Sequence, residues 1–363
     1  MSTSITPIAG FSPAITTANL NFSLGRNIGA GQGMNSEVYL ARDHQLDTQL
    51  VIKKVPKAKL STSSEYFGEA RRLYDSTHKH IVEVKYACED ADHVYLAMPF
   101  YRGGSLQSRM DLGFLTTRQI VRYGLEFLGG LHHVHVKGLV HFDIRPSNVL
   151  LDDSDTAALA DFGLSREVTA VGLADMPIVY LRHMPPERIS STSVTKTADV
   201  YQAGVTLYRM CGGNAEYDKQ IGTFATQDAL VAAIGAGQFP DRRRFLPHIP
   251  RRLRAVVKKA LSVSTSDRYQ TVLDLMNDLA VVEESLDWTY TVGSSWGCGE
   301  WYESDGSHAR KVRLEPVGSH WTVRSTRVSG SGRESRVKAL CTDGLPEKQA
   351  RQLLDKALTE RWP

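Results

Sequence analysis

Short runs that alternate β-branched or aromatic residues with polar ones follow one another between Phe22 and Tyr101: SEVYLAR, TQLVIKKV, HIVEVKYAC and HVYLAMPF. This spacing predicts strands. Residues Glu65–Ser76 carry a helical period instead, and Ser61, Thr62, Ser63 and Ser64 before them supply an N-cap. From Arg102 to Ser285 the period lengthens to that of amphipathic helices, as in TTRQIVRYGLEFLGGLHHVH, TADVYQAGVTLYRM and TVLDLMNDLAVVEESL. After Leu286 aromatic residues crowd in (Trp288, Tyr290, Trp296, Trp301, Tyr302, Trp321). Strand-like KVRLEPV and HWTVRSTRV then surround the turn residues Gly318 and Ser319. A last helix, LPEKQARQLLDKALTERW, lines up Ala350, Leu353, Leu354, Ala357 and Leu358. Residues 1–21 hold no charged side chain and read as a flexible leader. The pattern therefore predicts a leader (1–21), a strand-rich region (22–101), a helical region (102–285) and a separate small β-sheet-plus-helix module (286–363), with no internal repeat.

Composition narrows the class. A chain of 363 residues suits two or three domains, and 42% apolar with 23% charged residues is ordinary for a folded globular protein. The 43 basic and 40 acidic side chains leave +3, too little for a bulk polyanion binder, so nucleic acid is not an expected partner. No apolar run reaches the ~18 residues of a membrane span, and the first 25 residues lack the pattern of a signal peptide. Cys88, Cys211, Cys298 and Cys341 lie far apart and read as reduced thiols, which points to the cytoplasm.

Candidate chemistry begins at Gly29-Ala30-Gly31-Gln32-Gly33. Such a run lets backbone N–H groups approach phosphate oxygens, although alone it reads first as a bare turn. Lys53 sits inside the β-branched run LVIKK, where an ammonium wants an anionic partner, unless the strand is an edge. Glu69, on the helix with Leu73, can reach Lys53 if that helix packs on the sheet; an isolated helix glutamate is otherwise a solvated one. The loop HFDIRPSN (141–148) offers a carboxylate at Asp143 for a hydroxyl proton, a guanidinium at Arg145 for a phosphate, and an amide oxygen at Asn148 for a metal. Asp161-Phe162-Gly163 adds a carboxylate suited to Mg²⁺.

In this order and spacing, the glycine run, strand lysine, helix glutamate, H-x-D-x-x-x-x-N and D-F-G resemble the protein kinase family over about residues 22–285. The resemblance implies an α+β bilobal kinase fold, a β-rich N-lobe and a helical C-lobe with ATP in the cleft between. It implies that Gly31 and Gly33 arch over the phosphates and that Lys53 touches them while paired with Glu69. Asp143 would accept the proton of the attacking hydroxyl, and Asn148 and Asp161 would hold Mg²⁺. In VYLAMPFYRGGSL, Met98 would guard the back pocket, and the Pro99 carbonyl and Tyr101 N–H would take the adenine edge. Val38 and Val51 would roof the base, Leu150 would floor it, and Ser105 completes the nucleotide-binding set. A buried Glu187–Arg268 pair, Asp199 anchoring the catalytic loop, and a stack of Leu73, Val84, His141 and Phe162 follow from the same likeness.

Arg145 stands where Ser/Thr kinases carry Lys, which favours ATP-dependent phosphorylation of Ser/Thr hydroxyls on protein substrates, the chain itself included. Departures are Ser36 at the third loop glycine, Val51 for the usual Ala, Tyr180 where a Thr is common, and Phe142 for the Arg that receives an activation-loop phosphate. With Phe142, activity is expected without such a phosphate on Ser165 or Thr169. The alternatives are a kinase-like nucleotide-binding scaffold or a transferase of AMP. His132, His133, His135 and His141 are read as packing rather than zinc, and the arginines at 242–244, 251, 252 and 254 as solvated. The aromatics after Leu286 are read as the core of their own module, which would choose substrate, inhibit the cleft or bind a protein partner.

Overall fold

The computed structural model describes residues 20–29, 36–59, 77–177, 180–304, 306, 308–330, 332–360 and 362. The leader up to residue 19, Gly31 and Gly33, and the helix at 65–76 with Glu69, Leu73 and its cap lie outside the described residues.

The chain divides into two compact units. One contains the first three strands and Lys85–Phe100, and the other contains the stretch ending at Val84 and everything from Tyr101 on. In the first unit, β1 (Phe22–Asn27), β2 (Glu37–Asp43), β3 (Thr48–Pro56), β4 (Tyr86–Glu89) and β5 (His93–Pro99) form an antiparallel sheet in the order β1-β2-β3-β5-β4. The β2–β3 turn is nucleated by Asp43, whose Oδ1 accepts from Gln45 N at 2.8 Å and Leu46 N at 2.9 Å. Because side chains alternate across a strand, the register separates two faces. Ala41, Leu50, Ile52 and Ala97 form a small core on one, joined by Phe22, Tyr86 and Tyr95. Lys53, opposite Val38 and Leu96, shares the other face with Val51 and Met98.

The run HIVEVKYAC does not become one strand. Its second half makes β4, while His80–Val82 pairs in the second unit, where Val82 N donates to Leu159 O and Leu159 N to His80 O, each at 2.9 Å. The approach is close: a Cβ at Gly130 would stand 2.2 Å from the His80 carbonyl oxygen, so only glycine fits there.

The second unit starts with α1 (Leu106–Asp111) and α2 (Thr117–Val136), both opened by capping boxes, at Ser105/Ser108 and Thr116/Gln119. Short strand pairs follow. They are β6 (Leu139–Val140) with β9 (Arg166–Glu167), β7 (Val149–Leu151) with β8 (Ala157–Leu159), and β10 (Ala174–Asp175) with β11 (Ser193–Val194). The helices α3 (Thr197–Gly212), α4 (Asn214–Ile221), α5 (Gln227–Gly235), α6 (Arg251–Ala260) and α7 (Val272–Ala280) complete this part. The helical pattern expected to reach about Ser285 stops at Ala280, and Ser285 adopts a positive φ of 50° that no helix continues.

The terminal region is a six-stranded antiparallel sheet: β12 (Thr289–Val292), β13 (Gly299–Ser304), β14 (His308–Val317), β15 (His320–Ser329), β16 (Glu334–Arg336) and β17 (Thr342–Leu345). β17 pairs with β15, and α8 (Glu347–Thr359) follows. Its apolar side chains and those of the helices form one continuous core, from Leu128, Tyr201 and Leu253 through to Trp288, Trp301 and Leu354. Polar contacts seal the junction. Arg118 holds Asp287 in a fork at 2.6 and 2.7 Å, Trp296 Nε1 donates to Gly212 O at 2.9 Å, and Trp301 Nε1 donates to His248 Nδ1 at 3.2 Å. Phe114 and Tyr290 meet with ring centroids 4.8 Å apart.

Candidate active site

The loop 141–148 is built on α3. Asp199, fully buried, accepts from His141 N and Phe142 N, both at 2.8 Å, and from His135 Nε2 at 2.8 Å. One turn on, Gln202 accepts from Ile144 N at 3.1 Å and donates to Phe142 O at 2.9 Å. Two polar side chains three residues apart on one helix thus satisfy much of the backbone of a loop with no ladder of its own. Sequence reasoning named Asp199 and missed Gln202; its polarity within DVYQAGVTLY, on the face of Asp199, is the signal that marks it. Phe142 has φ +66° and is fully buried with Val140, Ala174, Met176, Val194 and Ala198. Where an arginine would await a phosphate, this chain packs the following segment by apolar contact.

Asp143 lies nearly buried at the loop's centre. Asn148 Nδ2 donates to Asp143 Oδ2 at 2.6 Å and to Asp143 O at 3.0 Å, and Arg145 Nε approaches the carboxylate at 3.1 Å. Burial pushes the Asp143 carboxyl above its ordinary range; the Arg145 guanidinium opposes this and the nearby Asp161 carboxylate reinforces it. With Nδ2 committed, Asn148 Oδ1 accepts from Ser147 Oγ at 3.4 Å. Asn148 Oδ1 and the Asp161 carboxylate are oxygen donors of the kind a divalent cation takes. Asp161 has φ +64°, a strained conformation concentrated at functional sites. Next to it Phe162 stacks edge-on against His141, centroids 4.7 Å apart. His141 stays neutral, its pKa lowered by burial, with Nε2 donating to Ala160 O at 3.2 Å and Nδ1 accepting from Asp143 N at 3.2 Å.

The segment after Tyr180 docks on this loop. Fully buried His183 donates from Nδ1 to Ile144 O at 3.0 Å and accepts at Nε2 from Arg209 at 3.0 Å. Burial, with Arg209 beside it, holds its pKa well below the usual histidine range, so it is a neutral strut. Glu187 and Arg268 form a fork at 2.7 and 2.6 Å, with Arg268 wholly covered. Ser165 is buried, and Thr169 Oγ1 accepts from Leu173 N at 3.2 Å.

Among the other expected residues, Val38, Val51, Lys53 and Met98 share one face of the first sheet, and Pro99 ends β5. Tyr101, Ser105 and Leu150 lie in the second unit, where Ser105 and Leu150 form an isolated bridge and Ser105 caps α1. Gly31, Gly33 and Glu69 fall outside the described residues. The histidines do not converge: His135 and His141 serve Asp199, and His133 stacks on His78 with centroids 5.1 Å apart. Several of the arginines read as solvated have structural partners: Arg244 pairs with Glu216 at 2.7 Å, Arg254 donates to the carbonyls of Pro247 and Ile249, and Arg251 reaches Asp355 on α8 at 3.4 Å. The four cysteines are free thiols, and among the described residues no helix is long and apolar enough to cross a membrane.

Residues 22–279 match the family model described as the protein kinase domain. The chain is similar to the serine/threonine-protein kinase PknL of Mycobacterium bovis, 26% identical over 261 residues, covering 70% of this chain and 64% of the relative. It is also similar to the serine/threonine-protein kinase PrkC of Bacillus subtilis, 25% identical over 265 residues (71% of this chain, 40% of the relative). Ribosomal protein S6 kinase alpha-2 of the mouse matches at 28% over 216 residues, 58% of this chain and 30% of that protein. The chain thus spans less than two thirds of the length of these relatives. With a family match over most of its length, the chain belongs to the protein kinase family.

Proposed function

We propose that this protein is an ATP-dependent kinase that transfers the γ-phosphoryl group to serine or threonine hydroxyls of protein substrates, and that it works in the cytoplasm. The observation that carries this reading is the nearly buried Asp143 carboxylate, held at once by the Asn148 amide and the Arg145 guanidinium beside Asp161. A carboxylate fixed in this way and raised by burial is suited to orient an incoming hydroxyl and take its proton as the oxygen attacks phosphorus. The Arg145 guanidinium keeps that carboxylate ionised and stands ready for charge developing on the phosphoryl oxygens. Lys53 is assigned to the nucleotide phosphates. Magnesium is assigned to Asn148 Oδ1 and Asp161, where it would supply charge neutralisation on the phosphates. The three relatives named above are all called kinases, two of them serine/threonine-protein kinases, which supports the acceptor class.

The test is transfer of labelled γ-phosphate from ATP with magnesium by the full chain, to itself and to a degenerate Ser/Thr peptide library. Asp143→Ala and Lys53→Ala should each lower the rate about a thousandfold or more while leaving the melting transition in place. ATP binding with no turnover would instead favour a scaffold, and a nucleotidyl adduct in the product mass would favour AMP transfer.

A further inference from the structure

Arg145 touches Asp143 through a single nitrogen, Nε, at 3.1 Å. A long side chain tethered at one atom can still rotate its guanidinium plane, and any rotation there moves the carboxylate it holds. The plane is controlled from above. The Arg145 guanidinium carbon lies 5.2 Å from the centroid of the Tyr180 ring, a cation–π stack. Tyr180 is itself held on other sides. Its hydroxyl accepts from Arg182 Nη1 at 3.3 Å, and Arg182 is pinned by an ion pair to Asp218. Its carbonyl accepts from His183 N at 2.9 Å, and the His183 and Tyr180 rings stack at 6.2 Å and 29°. His183 is the neutral strut bonded to Ile144 O, between Asp143 and Arg145 in sequence. The segment therefore grips the loop at two adjacent points, by a hydrogen bond to its backbone and by an aromatic face on its arginine. Yet Tyr180 is 40% exposed, so burying apolar surface alone does not explain its place.

We propose that Tyr180 is a positioning residue for phosphoryl transfer: its ring fixes the plane of Arg145 and, through Arg145, the carboxylate of Asp143. The inference rests on the role of Asp143 proposed above, and it assigns the work to the face of the ring rather than to the hydroxyl.

Steady-state kinetics of the full chain with ATP, magnesium and the peptide library test it. Tyr180→Phe, which keeps the ring, should retain most of kcat. Tyr180→Ala and Tyr180→Leu, the second keeping apolar bulk without a π face, should each lower kcat about tenfold with KM for ATP unchanged. The double variant Tyr180→Ala/Arg145→Ala should be no slower than Arg145→Ala alone, because Tyr180 acts through Arg145. The inference is overturned if Tyr180→Phe is as slow as Tyr180→Ala, if Tyr180→Leu matches the parent, or if the two alanine effects multiply. An inert parent chain would instead break the kinase reading itself, whereas an active parent with an indifferent Tyr180 breaks only this inference.

Discussion

The strands β1–β5 and the strands β12–β17 are both antiparallel sheets, yet their buried faces meet different things. On one face, and among the described residues, the first closes over Ala41, Leu50, Ile52 and Ala97, a cluster drawn from its own strands in its own compact unit. The second places Trp288, Trp301, Val312 and Leu314 in the same core as the helices, and bonds Trp296 and Trp301 to Gly212 and His248 of the helical part. Sheet architecture alone therefore says little about independence. What decides it is whether the apolar face is satisfied by residues of the same sheet or by a neighbour.

The strongest way to break this comparison is to cut the chain after Ser285. The truncated protein would expose the surface around Phe114, Gly212 and His248 that Tyr290, Trp296 and Trp301 cover. Each large buried aromatic is worth about 3–5 kcal/mol against a total stability of roughly 5–15 kcal/mol. We expect residues 1–285 to show no cooperative melting. A truncated chain that melts within a few degrees of the parent would show that the terminal sheet is an appendage after all.

Single substitutions sharpen the contrast. All five tryptophans lie from Trp288 onward, so tryptophan emission reports on the terminal region only. Trp301→Ala should cost about 3–5 kcal/mol and lower the denaturant midpoint of the remaining tryptophan emission and of helical circular dichroism together. Ile52→Ala, in the core of the first sheet, should cost about 2–4 kcal/mol there and leave the tryptophan midpoint where it was. Separate emission and dichroism transitions in Trp301→Ala, or a shifted emission in Ile52→Ala, would contradict the division.

A smaller effect comes from pH. Burial lowers the His248 pKa to about 4, and the neutral ring accepts the Trp301 N–H. An unfolded histidine titrates near 6.5, so between these values the unfolded chain binds the extra proton and stability rises with pH. The contribution is present above about 6.5 and is lost as pH falls toward 4, about 3 kcal/mol in all. His248→Gln should flatten the pH dependence of the denaturant midpoint over that window, whereas an unchanged slope would remove His248 from the junction.

Much of the candidate site was legible because the phosphoryl-transfer chemistry proposed for it demands fixed residue types at fixed separations. HFDIRPSN and DFG could be read from their letters, and Asp199 and the Glu187–Arg268 pair followed from the family likeness. What stayed hidden depended on partners distant along the chain. The aromatics after Leu286 announce a core, but nothing in their pattern says that helices supply its other half. HIVEVKYAC reads as one strand because alternation records amphipathicity and not which edge a backbone will find; the carbonyl of Leu159 claims half of it. Tyr180 stands out as an unusual letter, while its use appears only once its ring is seen over Arg145.

The shared core also bears on how the protein comes into being. Translation delivers Asp143, Asn148 and Asp161 well before Trp288, Trp301 and Leu354, and domains tend to fold as their chains emerge. Here the loop 141–148 is anchored on α3, a helix whose last residue, Gly212, takes a hydrogen bond from late-made Trp296. A nascent polypeptide would thus carry Asp143, Asn148 and Asp161 before the residues that complete their shared core exist, so the loop's final packing is expected only once the terminal sheet has been synthesised.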